Sequence, residues 1–189
     1  MKVLVAYESL YGNTASIADT IGEAIGKAIA SNPRSASSEV EVCAIPEIAP
    51  EQAGGFGLLV VGGPTHAHGM SHASTRRAGA EDDKNTFPTP TVEPGIRAWL
   101  EALPAGAGRL AAAFDTRFDM PTAFTGSAAK GIARKLKHHG FKVIAPPESF
   151  FVTKQNRLEA GQLEHAAAWG TSLAERAMAR TAHPSSRAA

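Results

Sequence analysis

A single cysteine, two tryptophans and two tyrosines are all that this 189-residue chain offers of those residue types. Neither sign of charge is in excess: 19 Lys and Arg stand against 18 Asp and Glu, a net charge of +1. One thiol excludes an internal disulfide framework and fits a reducing compartment. Cys43 alternates with apolar residues in "VEVCAI" and reads as a small core residue rather than a nucleophile. Balanced charge argues against a nucleic-acid binder, whose basic residues gather in excess on one face. No run approaches the roughly 18 apolar residues of a membrane span. The first residues are one lysine and then a strand-like run, unlike a secretory leader, so the expected compartment is the cytoplasm. Hydrolase signatures are missing too: there is no G-x-S-x-G elbow, and no serine stands out with a partner histidine and acid.

What is present is an ordinary globular composition, 43% hydrophobic and 20% charged, in a chain long enough for one sizeable core. Strand-like apolar runs recur at Lys2–Tyr7, Glu39–Ala44, Leu58–Gly62, Leu110–Phe114 and Lys142–Ala145. The last of these resumes at Ser149–Val152 after Pro146-Pro147. Helical periodicity separates them. Ile17, Ile21, Ile25 and Ile29 mark a helix over Thr14–Ala30, and further helices are expected at Pro94–Leu103, Ser127–His139 and Gln162–Arg180. Alternating strands and helices predict a doubly wound α/β fold, a parallel sheet with helices on both faces. One domain is expected over residues 1–180, with 181–189 as a flexible tail. Ser31–Ser38 reads as a surface loop, whereas His66–Val92 is too long for one. Loops beyond about 12–15 residues are usually functional covers or insertions. The polar composition of Ser71–Val92 places that part on the surface, with Arg76 and Arg77 available to an acidic partner or substrate.

The most informative stretch is "YESLYGNTAS" (Tyr7–Ser16), in which a buried strand passes through hydroxyl-bearing and small residues into a helix. Such a turn aims bare backbone N–H groups and hydroxyls at one spot, which attracts an anion, most often a phosphate. Other signals mislead. "GEAIGKA" (Gly22–Ala28) has too few residues between its glycines for a nucleotide P-loop and lies inside the helix. "GGFG" (Gly54–Gly57) precedes a strand instead of following one, so it is no dinucleotide fingerprint. His66, His68 and His72 stand close together, but no acidic or cysteine ligand has a matching spacing, and no metal is expected. In doubly wound sheets, ligands bind outside the carboxyl ends of the strands. The loops there are Glu8–Thr14, Gly63–Met70 and Asp115–Thr122, and a phosphate at the first with a flat ring between the other two would account for all three.

These residues resemble a known family. "SLYGNT" at Ser9–Thr14 is similar to the phosphate loop of flavodoxins, and "LLVVGGPTHAHG" at Leu58–Gly69 resembles the segment that lies against their flavin. The element order matches over residues 1–180. The resemblance implies a five-stranded sheet in the order 2-1-3-4-5 that binds FMN. Side chains of Ser9, Asn13 and Thr14, with backbone N–H groups of Leu10, Tyr11 and Gly12, would hold its phosphate. Pro64, Thr65 and His66 would pass along one face of the ring, with Ala67, His68 and Gly69 near its reactive edge. Asp115, Thr116, Arg117 and Phe118 would border the other side. Two features depart from the family: His66 stands where tryptophan or tyrosine usually stacks, and the usual acidic surface is missing.

The resemblance implies an FMN-binding electron-transfer protein that works with a redox partner protein. The alternative is an FMN-dependent oxidoreductase on the same scaffold, taking NAD(P)H with a small quinone-like substrate or oxidising a porphyrinogen. The long segment after His66 would suit its substrate cover. A flavin-free interaction protein is the third reading, opposed by an intact phosphate loop.

Overall fold

The computed structural model describes residues 1–32, 39–66, 68–82, 85 and 93–182. In chain order the elements are β1 (Lys2–Tyr7), α1 (Asn13–Ala30), β2 (Glu39–Ala44), β3 (Leu58–His66), β4 (Gly69–Met70) and α2 (Ala73–Ala80). They continue with α3 (Ile96–Glu101), β5 (Leu110–Phe118), α4 (Thr122–Thr125), α5 (Ala128–His138), β6 (Lys142–Val143), β7 (Glu148–Val152) and α6 (Gln162–Ala182).

A strand with no polar face is stable only where both faces are covered, and β1 shows how this chain covers them. Val3 and Val5 enter one apolar cluster and Leu4 and Ala6 the other, all four fully buried. The first cluster is roofed by α1 and α6, the second by α3 and α5. Ile17, Ile21, Ile25 and Ile29 are each 0% exposed. At roughly 1.5–3 kcal/mol for a fully buried aliphatic side chain, that stripe holds α1 against the sheet. Phe114, Phe150 and Trp169 meet edge to face beneath α6, with centroids 6.0–6.2 Å apart.

The strands lie in the order β2-β1-β3-β5, with the outermost position shared by β6 and β7, and all of these pairings are parallel. This is the expected doubly wound, flavodoxin-like arrangement, with more than five strands. The outer strand is split because Pro146-Pro147 can donate no ladder hydrogen bond, and it resumes beside Phe114–Phe118 as expected.

Several boundaries differ from expectation. β3 and β5 run four residues past Gly62 and Phe114, because their register continues through Gly63 opposite Asp115 and Pro64 opposite Thr116. Part of what reads as loop in the sequence is therefore strand. Two elements lie within the supposedly irregular segment His66–Val92. β4 turns back antiparallel on Thr65 and His66, and α2 follows. "ASTRRAGA" has no apolar stripe to announce a helix; its buried positions are Arg76 and Gly79. The helix expected over Pro94–Leu103 is the shorter Ile96–Glu101. No helix among the described residues is long and apolar enough to cross a membrane.

Cys43 on β2 is half-buried, and its thiol lies 3.1 Å from Glu41 Oε1. Burial first, then Glu41 and Glu47, push its pKa up to about 12. Against a usual thiol value near 8.5, the thiolate fraction at pH 8 falls by on the order of a hundredfold or more. Iodoacetamide at pH 8 should therefore label native protein far more slowly than urea-unfolded protein, followed by intact mass. Equal rates would show the thiol to be free of this environment.

Candidate active site at the carboxyl edge of the sheet

β1, β3 and β5 all end on one edge of the sheet, and the segments that follow them converge there. After β1 the chain turns through Gly12, whose φ of 83° is a left-handed conformation suited to glycine, and enters α1. The first intrahelical bond runs from Ser16 N–H to the Gly12 carbonyl (3.0 Å). The N–H groups of Asn13, Thr14 and Ala15 thus have no carbonyl within the helix, and the helix dipole adds about half a positive charge there.

The hydroxyls around this turn are buried. Ser9 is 7% exposed, and its Oγ has no hydrogen-bond partner among the described residues. Thr14, 2% exposed, lies with its Oγ1 2.8 Å from Thr116 Oγ1 on β5. One hydroxyl of that pair donates to the other, and the second keeps its own hydrogen for a further acceptor. Asn13 Nδ2 donates to the Asn156 carbonyl (2.9 Å), closing the turn against the segment after β7. An open cleft beside the turn is lined by Tyr11, Asn13 and Asn156, with Lys154 and Arg157 bringing positive charge to its wall.

The outer side of the turn is held by residues around the end of α2. Tyr11 donates its hydroxyl hydrogen to Asp82 Oδ2 (3.0 Å), and Asn85 Nδ2 donates to the Leu10 carbonyl (2.9 Å). Gly79 lies against Leu10, where an added Cβ would stand 3.3 Å from Leu10 Cδ1. Behind them is a buried polar chain that the sequence reading missed. Glu8 accepts from Ser71 Oγ and from the Ile96 N–H (2.9 Å). Arg76 donates to Ser71 Oγ (3.3 Å) and to Glu93 Oε1 (2.5 Å). An acid directly after a buried strand was the available signal: a carboxylate placed there must find donors.

This chain corrects the expectation for Arg76, which is 5% exposed and engaged with Ser71 and Glu93 rather than available to a partner. Arg77 is exposed.

The residues after β3 and β5 divide into those that hold the loops and those that face outward. Thr65 Oγ1 donates to Asp115 Oδ2 (3.0 Å) and accepts the Ala128 N–H (2.8 Å). Asp115 Oδ2 also accepts Ser127 Oγ (2.7 Å) and the Ala129 N–H (2.9 Å). Asp115 is fully buried, so one of its oxygens serves the N-terminus of α5, where negative charge is favoured. Arg117 likewise works on its own loop. It donates to the Met120 carbonyl (2.6 Å) and Ser149 Oγ (3.1 Å), with its guanidinium 5.0 Å from the Phe151 ring centre. Phe118 ends β5 partly exposed, and Met120 and Phe124 extend that apolar rim, Phe124 being 68% exposed.

On the β3 side, Pro64, His66 and Gly69 are half-buried, and Ala67 lies outside the described residues. Burial lowers the His66 pKa, so the ring is neutral at pH 7. His68 is exposed with a φ of 72°, and its backbone bridges to Gly126. A Cβ on Gly126 would meet the His68 carbonyl oxygen at 2.0 Å, so the two loops touch through a residue that has to be glycine. His72 lies apart, its ring nitrogen 3.2 Å from Arg97. Among the described residues no group of three His, Cys, Asp or Glu is placed to hold a metal.

Comparison with solved structures finds the same architecture at low identity. A flavodoxin from the domain Archaea is 20% identical with a TM-score of 0.65, over 94% of this chain and 99% of that one. The flavodoxin, WrbA-like protein from Agrobacterium tumefaciens is 16% identical with a TM-score of 0.55, over 94% of this chain and 98% of that one. Rubredoxin oxygen:oxidoreductase from Desulfovibrio gigas is 17% identical with a TM-score of 0.59, over 96% of this chain and 37% of that one. These likenesses show a flavodoxin-like fold. No family model matches the chain, and no curated protein does.

The polar chain behind the turn separates two adjacent arginines. Arg76→Ala should lower stability in urea by about 2 kcal/mol, through lost hydrogen bonds to charged and buried groups and a lost packed stem. Arg77→Ala should stay within about 0.5 kcal/mol of wild type, as exposed substitutions do. Equal effects would mean that Arg76 is not buried in solution.

Proposed function

We propose that the protein binds FMN and transfers electrons. The observation that carries this is the turn Ser9–Thr14: a buried Ser9 hydroxyl without a partner among the described residues, beside the bare N–H groups that open α1. Those donors fit a compact anion, and hydrogen bonds to a charged group contribute roughly 1.5–3 kcal/mol each. Ser9, Asn13 and Thr14, with the N–H groups of Leu10, Tyr11 and Gly12, would hold the FMN phosphate. Pro64, Thr65, His66, Ala67, His68 and Gly69 would border the ring on one side, and Asp115, Thr116, Arg117 and Phe118 on the other. Bound FMN supplies the redox chemistry, while the chain supplies binding, orientation and electrostatics. Asp115, Thr65 and Arg117 keep the two loops in place. A neutral His66 puts no fixed cation in the ring-side segment at pH 7.

The exposed rim of Phe118, Met120 and Phe124 favours electron transfer to a partner protein, since exposed apolar side chains offer a docking face. A second reading, an oxidoreductase acting on a small quinone-like substrate, is favoured by a separate cleft that opens at His68 and Gly126.

Two measurements test the cofactor assignment. Cofactor released by heat from the purified protein should be FMN by mass spectrometry; FAD alone, or an apoprotein that takes up no FMN, would overturn it. Ser9→Ala should weaken FMN by about tenfold or more, the value of one such hydrogen bond, and leave riboflavin within about twofold. Equal weakening of both would mean that Ser9 does not serve the phosphate.

A further inference from the structure

His68 and Gly126, where the loops after β3 and β5 meet, also line a cleft of about 340 Å³. Its other walls include Arg97 of α3, Thr122 of α4, and Lys130 and Arg134 of α5. Three fixed cations from two helices thus face one small space, and among the described residues no carboxylate lines it. The hydrogen bonds that Arg97 and Lys130 donate go to uncharged groups. Arg97 donates to the carbonyls of Ser71 (2.9 Å) and Met70 (2.7 Å), and Lys130 Nζ reaches Thr122 Oγ1 at 3.5 Å. The nearby carboxylate of Glu101 pairs with Lys135 at 2.9 Å and also feels the charge of Arg97 without forming an ion pair with it. Among the described residues, Arg97, Lys130 and Arg134 make no ion pair.

Like charges held together in a concave site raise the local concentration of anions, and walls of low dielectric strengthen the effect. The volume lies at the lower end of small-molecule sites, about 300–1,000 Å³. It admits an acidic group with part of a ring and excludes a protein segment. Arg97 is already fixed by two backbone carbonyls, so it can bind an anion with little further loss of side-chain freedom.

We propose that this cleft binds the acidic group of a small redox substrate, and that the site accepts quinones carrying a sulfonate, carboxylate or phosphate in preference to neutral ones. The redox part rests on the FMN reading above; the anion part rests on the cleft alone. Bound FMN in its two-electron-reduced form would supply the two electrons and two protons that convert the quinone to the hydroquinone. Lys130 and Arg134 hold the acidic group and take no part in the electron transfer.

The test uses FMN-loaded protein reduced anaerobically with dithionite and mixed with 1,4-naphthoquinone-2-sulfonate or with neutral 2-methyl-1,4-naphthoquinone. Lys130→Glu/Arg134→Glu changes two residues outside the phosphate loop, so FMN affinity should be unchanged. The double variant should raise the half-saturating concentration of the sulfonate at least tenfold and leave the neutral quinone within twofold. Equal effects on both quinones, or none, would overturn the proposal. A second titration does not depend on the flavin: calorimetry with inorganic pyrophosphate, wild type against the double variant. Weaker binding by the variant supports the anion site, and identical isotherms overturn it. Should the protein take up no FMN, the functional reading falls, while the pyrophosphate difference still decides this one.

Discussion

A carboxylate buried at the end of β1 has to find hydrogen-bond donors, and the donors Glu8 finds come from two distant segments. Ser71 brings the chain after β4 to it, and the Ile96 N–H brings the start of α3. Arg76 then reaches Ser71 from α2 and ties in Glu93. A buried carboxylate that loses a donor costs at least about 1–3 kcal/mol, so these segments cannot drift independently. With α2 held, Asn85 and Asp82 reach Leu10 and Tyr11, and the turn that follows Glu8 is gripped from outside. The residue that follows β1 thereby shapes the turn beside it.

Asp115 does comparable work two strands away. Its Oδ2 gathers Thr65, Ser127 and the Ala129 N–H, which knits the end of β3 to β5 and to the start of α5. The contact of Gly126 with His68 closes the same junction. Glu8 spends both carboxylate oxygens on the scaffold, whereas Asp115 spends Oδ2 alone, its buried Oδ1 having no partner among the described residues. Facing the carboxyl edge are hydroxyls, N–H groups, Asp82, Lys154 and Arg157 on one side, and His66, His68 and the apolar rim on the other.

Much of this was legible in the chain, and the limits have physical causes. Continuous apolar runs announced the doubly covered strands, and the isoleucine stripe announced α1, because burial on both faces or on one stripe leaves a direct mark on composition. The extensions of β3 and β5 left none, since Gly63, Pro64 and Thr65 are paired by register and not by burial of apolar side chains. α2 was illegible for a related reason: it is held by one buried arginine and one close-packed glycine, and neither carries an apolar period. Of the candidate site, the strand-to-helix turn at Ser9–Thr14 was readable from its run of hydroxyl-bearing and small residues. The scaffolding roles of Asp115, Arg117 and Arg76 were not, because each depends on a partner remote in sequence.

The central claim is that the turn Ser9–Thr14 encloses a phosphate dianion with backbone and hydroxyl donors. Phosphorus NMR of FMN bound to the protein, followed from pH 5 to 8, addresses it directly. A free phosphate monoester takes up its second proton near pH ~6, and donors aimed at the charged form lower that value. A bound resonance that stays at the dianion position down to pH 5 is the predicted result. A resonance that titrates like free FMN would place the phosphate in water and contradict the account.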